Sequence, residues 1–578
     1  MSRNGAWGRI SNILPLTTFL FAQAVYFYNS LLHYSGAGRD DTFIALWTGM
    51  TLAEGQGLVN YNLEPSEMSS SMLHTMIAAV LHILAPDFIY TLNKLLGLAA
   101  GAVLLAVLYR KRHDLFENMP AGTIMFAISV LGLANHRAWL YWNVGGLETP
   151  FQTLIIFLYA LYLVRFLKAP DRGYPLVILQ TLYILVRPEG FLLLLFTGLC
   201  VFARAFFNQP VPRQQALLVV GVPSLVFLTI LIARYLHFGL LFPNPVYAKI
   251  HLGLDNNAVS NLRTGLQYLK GFYTSSPYVA LQLALLTALV IPYARILLRH
   301  KDNAALGPSI TYIKFAPLLG LVLLNHLFVI LVGGDWMEFY RLIVPVIPLL
   351  AILTTFFAFR LFNALLEKFV LPGSNFQILA NLALGILFLA AIATNSGQND
   401  NYRVRGFHNC SEKMDLSKVL SISSDYSRLD DQLILINCAG KRDWSGVMPF
   451  IEEELPQVYD SLDQKITIVT FQMGFFPYYI KTLKPAMNIE FIDTVGLADS
   501  NIARMDMPKV NYGIRDGVNI VSIFSGTSGE LSQYVLDRNP NMIYVLDATD
   551  RRRRALAKLG WSTSWDRPGA VIFIKTQE

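Results

Sequence analysis

Charge is scarce in this chain. Only 15% of its 578 residues are Asp, Glu, Lys or Arg, against about 25% in a soluble domain. Hydrophobic residues make up 54% and the mean hydropathy is +0.44, which excludes an ordinary soluble globule. Cysteine is scarcer still: three in the whole chain cannot build a disulfide scaffold. Cys200 lies inside an apolar run and is expected to be inert. Cys410 and Cys438 fall in the polar C-terminal part, where one disulfide and two buried thiols are both open readings. No internal repeat is visible. The formal charge of +7 does not point to nucleic acid, because the basic residues sit in short clusters between apolar runs, the pattern of membrane topology.

Apolar runs are what the sequence has in quantity. A helical crossing needs about 20 residues, fewer when paired or tilted. Such runs are Asn12–His33, Phe88–Tyr109, Met119–Asn135, Thr149–Leu167, Tyr174–Val186, Phe191–Ala203, Ala216–Leu236, Tyr278–Leu298, Phe315–Val332, Leu342–Phe359 and Phe376–Ala393, eleven in all. The first is too long for a signal-peptide core and no A-x-A site follows it, so it is expected to remain as an uncleaved span. The fifth and sixth are separated only by Arg-Pro-Glu-Gly and read either as two crossings or as a re-entrant pair, with the same parity. Ser71–Leu84 is amphipathic, interrupted by His74 and His82, and reads as a helix lying at the interface.

The basic clusters orient these runs. With Arg3 and Arg9 inside, the same side receives Arg110–His113, Lys168 and Arg172, Arg204 and Arg213, Arg299–Lys301, and Arg360 with Lys368. Every cluster between spans therefore lands in the cytoplasm. Five loops then face out, at 34–87, 136–148, 187–190, 237–277 and 333–341, as does everything after Thr394. The expected architecture is a transmembrane unit over residues 1–394 and a periplasmic α/β domain over 395–578. In the latter, QLILIN, KITIVTF, NIEFIDT, VNIVSIF, NMIYVLD and AVIFIK read as strands and Thr549–Leu559 as a helix.

The unusual polar residues gather in the outward loops. Asp40 and Asp41 directly follow the first span. Two adjacent carboxylates at a membrane surface lose hydration and repel, so one should hold its proton more tightly, which suits a general base for a hydroxyl. The competing reading makes Asp40 the cap of a helix starting at Thr42. Glu64 and Glu67 share that loop; Glu148, Arg187 with Glu189, and Asn244 with Lys249 come from the next three. The fifth carries Asp335, Trp336, Glu338 and Arg341. Sugar transfer from a lipid phosphate uses this mixture: a carboxylate activates the acceptor, and fixed cations hold the departing phosphate. Lys249 and Arg341 lead as phosphate ligands, with Arg187 and His326 next. Glu64, Glu67, Glu148, Asn244, Asp335 and Trp336 are candidates for substrate contact. A basic residue beside a span also commonly snorkels to the interface without further role.

The strings Arg-Asp-Asp-Thr-Phe-Ile (39–44), Ala-Glu-Gly-Gln-Gly-Leu-Val-Asn (53–60) and Glu-Pro-Ser-Glu (64–67) resemble the first external loop of GT-C-type glycosyltransferases. The similarity is strongest to the terminal arabinofuranosyltransferases of mycobacterial cell walls and their bacterial relatives. It continues in order through Gly145–Pro150, Leu185–Gly190, Leu241–Lys249, Gly333–Arg341, Gly474–Tyr479 and Ile492–Asp499. The resemblance implies a polytopic enzyme of the bacterial inner (plasma) membrane with its site facing the periplasm. It implies an inverting transfer of one sugar, a pentofuranose such as arabinofuranose, from a polyprenyl-phosphate carrier to a hydroxyl of an extracytoplasmic glycan or surface protein. Asp40 and Asp41 are then the base candidates, their roles not separated, and the C-terminal domain resembles periplasmic carbohydrate-binding domains. Some relatives hold a divalent cation by the acidic loop, for which Asp40, Glu64 and Glu148 offer oxygens; monosugar-phosphate users often manage without one, so no catalytic metal and no other cofactor is expected. The chain departs from the family at Met68–His74, where the acceptor loop meets the interfacial helix. The alternative function is a transporter or flippase of lipid-linked sugars. Such proteins usually place ionisable residues at mid-membrane in broken, repeated helices, whereas here the charges gather on one side.

Overall fold

The computed structural model describes residues 6–34, 40–116, 121–206, 210–249, 256–299, 309–335, 337–367, 369, 375–397, 446–505, 520–546, 548–567 and 570–576. Among the described residues, all eleven apolar runs fall on helices. These are Ala6–Tyr34, Ile89–Phe116, Gly122–Ala134, Thr149–Lys168, Tyr174–Val186, Phe191–Phe206, Val222–Phe238 with the turns before it, Pro277–Arg299, Ser309–Leu331, Ile347–Leu366 and Asn375–Gly397. Among the described residues, six helices are long and apolar enough to cross a membrane by length and composition. Gly122–Ala134, Tyr174–Val186, Pro277–Ala288 and Phe315–Leu331 are apolar but shorter. The count of eleven crossings therefore goes beyond what helix length alone establishes.

Burial divides these helices into an inner and an outer set. Ile347–Leu366 is buried along nearly its whole length up to Phe359, so it forms the axis of the bundle. Val222–Phe238 exposes Leu225, Leu228, Ile232, Tyr235 and Leu236 and buries Arg234, as expected of an outer helix whose apolar face meets lipid. It ends where Gly239, at φ 67°, adopts the left-handed conformation and donates its N–H to Tyr235 O.

Two helices of the first loop lie beside the bundle. Asp40–Ala53 begins with both aspartates in its first turn, where the exposed amides favour negative charge. Met72–Leu84 is capped by Ser71, whose hydroxyl accepts from His74 N at 3.2 Å. The run read as an amphipathic helix is helical: it buries His74, Thr75, Ala78, Ala79 and Leu81 and exposes Met76, Val80, Ile83 and Leu84.

The C-terminal residues form a five-stranded sheet in the order β2-β1-β3-β5-β4. Its strands are β1 (Ile466–Thr470), β2 (Ile489–Asp493), β3 (Met542–Val545), β4 (Trp561–Arg567) and β5 (Ala570–Lys575). β1 pairs in parallel with β2 and β3; β5 runs antiparallel to β3 and β4. The sheet corrects the sequence reading in two places. VNIVSIF is helical over Ile520–Phe524, with Ile520 and Ile523 buried, because a short apolar run carries no period that tells strand from helix. WSTSWDR, with few apolar residues, is the edge strand β4. QLILIN, Cys410 and Cys438 lie outside the described residues.

The sheet's two faces bury different things. Val469, Ile492, Ile543, Val571 and Phe573 pack under the helices of the C-terminal unit itself. Ile466, Ile468, Phe491, Met542, Tyr544 and Ile572 share one continuous core with Phe43, Trp47, Tyr61, Met68 and Ala78 of the first loop. The C-terminal unit thus sits on the first loop, on the same side of the bundle. For a chain that spans a membrane, this contact requires an even number of crossings between the two.

Candidate active site

Charged residues of the five loops that the basic clusters place on one side converge. Lys249 Nζ donates to Asp41 Oδ2 at 3.1 Å, joining residues 208 positions apart. Arg187 bridges two loops, with Nη1 on Glu148 Oε1 at 2.7 Å and Nε on Glu189 Oε1 at 2.8 Å. Arg341 holds Asp335 Oδ2 through Nε at 2.8 Å and Nη2 at 2.7 Å.

These pairs feel one another. Burial pushes the Glu148 carboxyl up, yet Arg187 first and then Arg341 more than offset it, leaving the group down at about 2. Asp335 is buried as well, and Arg341, with Lys249 and Arg187 farther off, holds it below the usual carboxylate range. Burial would loosen the proton on Arg341; the carboxylates of Asp335, Glu148 and Asp41 reverse that and raise it. So Asp41, Glu148, Arg187, Lys249, Asp335 and Arg341 act as one electrostatic cluster, buried except for the half-buried Asp41 and Lys249, and assembled from all five loops.

The local backbone explains how the second loop reaches it. Gly146 takes φ +75° and sits against Thr42, where a Cβ would press on the threonine side chain. Thr42 Oγ1 donates to Gly145 O at 3.2 Å and Asn93 Nδ2 to Gly146 O at 2.7 Å. The Gly-Gly turn is pinned between two helices, and Glu148 follows at the head of Thr149–Lys168. His74 Nε2 completes the brace on Asn93 Oδ1 at 2.8 Å.

The two aspartates part company. Asp41 faces Lys249, while Asp40 caps a helix of the C-terminal unit. Its carboxylate accepts from Gly474 N at 3.1 Å and Phe475 N at 2.7 Å, the first amides of Phe475–Leu483 in the C-terminal unit.

The remaining predicted residues are placed as follows. Glu67 is buried and makes a two-pronged pair with Arg234, both contacts at 2.7 Å. Glu64 is exposed and accepts from Asn60 Nδ2 at 2.8 Å. Asn244 is buried between Ser66 Oγ at 3.0 Å and Ser500 Oγ at 3.1 Å. His326 lies within Ser309–Leu331, Nδ1 on Val322 O at 2.7 Å and Nε2 accepting from the Tyr273 hydroxyl at 2.6 Å; both ring nitrogens are engaged inside the protein. Trp336 falls outside the described residues. Asp40, Glu64 and Glu148 have separate partners, and among the described residues no three His, Cys, Asp or Glu side chains form a cluster that would hold a metal ion.

No family model and no curated protein matches the chain. A solved crystal structure of the Archaeoglobus fulgidus oligosaccharyltransferase, in complex with zinc and sulfate, is similar at 11% identity and a TM-score of 0.47, over 91% of this chain and 67% of that one.

Three buried polar residues near this end of the bundle were not singled out from sequence. Lys94 is 3% exposed, its ammonium 5.0 Å from the Tyr90 ring centre. Asn93 braces the Gly-Gly turn, and Arg234 holds Glu67. Lys94 and Arg234 lie inside runs read as spans. A charge within an apolar run was itself the signal, because such a charge almost always faces the bundle interior and pairs there.

Proposed function

We propose that this chain is an inverting, GT-C-type glycosyltransferase that moves one sugar from a polyprenyl phosphate to a hydroxyl of an extracytoplasmic glycan or surface protein. The observation that carries the reading is the Asp41–Lys249 pair at 3.1 Å, set among Arg187, Arg341 and their carboxylates. A base beside a group of fixed cations, at one end of an apolar bundle, suits a substrate with a phosphate at the surface and a lipid tail between helices. In the reaction the acceptor oxygen attacks the anomeric carbon while its proton passes to Asp41. The bond from that carbon to the phosphate oxygen breaks on the opposite face, and the lipid phosphate leaves with the electron pair. Lys249 and Arg341, backed by Arg187, take up its charge.

Eleven crossings, with the loops and the C-terminal unit outside in a bacterial plasma membrane, agree with the basic clusters. Ten helices between the first loop and the C-terminal unit also satisfy the even number their contact requires. The donor is read as a pentofuranose from the motif resemblance, and no catalytic metal is invoked.

Detergent-purified protein incubated with radiolabelled polyprenyl-phosphate arabinofuranose and a hydroxyl acceptor should release lipid phosphate and label the acceptor, also in excess EDTA. A flippase would move the donor across a proteoliposome and leave it intact; that outcome would overturn the reading. Loss of turnover in EDTA, restored by a divalent cation, would overturn its metal-free form.

A further inference from the structure

The C-terminal unit touches the proposed site from two directions. On one side, the Asp40 carboxylate takes the two leading amides of Phe475–Leu483. The approach is so close that a Cβ on Gly474 would fall on the Asp40 carbonyl. Phe43, on the next turn after the aspartates, is packed by Phe475, Tyr478 and Tyr479, with ring centres 5.3, 5.3 and 5.5 Å away. On the other side, Ser500 hydrogen-bonds Asn244, which opens the one-turn helix Asn244–Lys249 ending in the cation. Asn60 Nδ2 and Ser66 Oγ both donate to Ala498 O, at 3.1 and 3.2 Å, and Asn62 exchanges two hydrogen bonds of 2.9 Å with the Phe491 backbone. Both halves of the Asp41–Lys249 pair are therefore mounted on elements that the same C-terminal unit grips.

From this geometry we infer that the C-terminal unit is a clamp that sets the Asp41–Lys249 pair, with Asp40 as its positioning residue and Asp41 as the chemical one. The inference rests on the proposed function for its catalytic consequence, but the clamp itself is a structural arrangement with its own readout. A carboxylate is the side chain suited to the Asp40 position, since its two oxygens serve two adjacent amides at a helix N-terminus. Asparagine offers one acceptor there, alanine none. The effect on turnover should be graded in that order, because a displacement of about 1 Å in a reacting group can lower a rate roughly 10²-fold.

The test uses the full chain in detergent and two measurements. The first is the rate of Lys249 modification by an amine reagent, read by mass spectrometry, which needs no substrate. The second is the split between kcat and the donor KM. Gly474→Ala and Ser500→Ala alter the grip from the C-terminal unit's own side without changing the reacting groups. Each should raise Lys249 labelling at least about threefold and lower kcat about tenfold or more, with the donor KM changed less than about threefold. Asp40→Asn should fall between wild type and Asp40→Ala in both measurements. Should Gly474→Ala fail to fold, Ser500→Ala and the Asp40 series carry the test. Unchanged Lys249 labelling in these variants would overturn the clamp, whatever the reaction proves to be. Asp40→Asn as inactive as Asp41→Asn, with wild-type labelling, would overturn the division of roles. A wild-type chain that transfers no sugar, with labelling still graded, would sink the proposed function and leave the clamp standing.

Discussion

Removing Arg234 should destabilise the protein more than removing Arg234 and Glu67 together. The two side chains are 6% and 4% exposed and meet through two contacts of 2.7 Å. Arg234 comes from a helix that otherwise shows lipid-facing residues, Glu67 from the first loop. Arg234→Met leaves an ionised carboxylate buried without its cation, which costs about 3–5 kcal/mol. Glu67→Leu leaves the guanidinium in the same difficulty, with a similar cost. The double variant removes both charges and fills the space with apolar atoms, and should lose only about 0–2 kcal/mol, because replacing a whole buried pair is often close to neutral. The coupling energy is then several kcal/mol, at or above the upper end of what contacting residues show. Reversible unfolding in mixed micelles, followed by tryptophan fluorescence, measures all four corners of the cycle. Single variants each costing under about 1 kcal/mol and adding in the double would refute the reasoning. The same variants address the expectation that Glu67 contacts substrate: a double variant that folds and keeps the wild-type KM excludes it.

Asp41→Asn should lower single-turnover transfer by about 10²–10⁴-fold, the usual contribution of a general base, while donor binding by a fluorescent prenyl phosphate stays within about threefold. Arg341→Lys should weaken that binding by roughly tenfold, since a point charge cannot reproduce a planar fork serving Asp335 and a phosphate together; isothermal titration measures it. Glu148 gives the pH dependence. Its folded pKa, about 2, lies below the unfolded value, so its stabilisation is present above about pH 4.5 and lost as the pH falls toward about 2. The amount is on the order of 3 kcal/mol. Thermal unfolding between pH 6 and pH 3 should drop more steeply for the wild type than for Glu148→Gln.

The bundle was legible because lipid imposes one rule, that a crossing segment must be apolar for about 20 residues and helical throughout. All eleven runs fall on helices, and among the described residues six of these are long and apolar enough to cross. The candidate site was legible in part for the converse reason: charges excluded from the spans collect in the loops. What sequence could not give was who holds whom. Asp40 and Asp41 are adjacent and chemically identical, yet one faces Lys249 and the other a helix more than 430 residues onward. Nothing local distinguishes them, because the different directions of two neighbouring side chains are set by a tertiary contact. Asp40 does serve a helix N-terminus, that of Phe475–Leu483, which lies too far along the chain for the sequence to suggest. Lys94 and Arg234 were missed because a window averaged over apolar neighbours hides one charge. In the C-terminal unit, β4 is hardly apolar at all: an edge strand needs only one covered face, so its backbone pairing with β5, rather than its composition, makes it a strand.

The pairing of Asp41 with Lys249 carries a kinetic consequence. With the site empty, Asp41 Oδ2 accepts from the Lys249 ammonium at 3.1 Å and is not available at that oxygen to an acceptor hydroxyl. The donor's phosphodiester offers Lys249 a singly charged partner that gains a second negative charge as its bond to the sugar breaks, and charge-assisted contacts of that kind are stronger and shorter than neutral ones. When the lysine turns to the phosphate, Asp41 gains a lone pair facing the sugar. Donor should therefore bind before acceptor can bind productively, and an acceptor analogue lacking the attacking hydroxyl should inhibit uncompetitively against the donor. The ordering protects the reactive sugar as well, because the base is occupied by Lys249 until the donor is seated. Competitive or mixed inhibition by the analogue would mean that acceptor enters the empty site, and that the Asp41–Lys249 pair does not gate it.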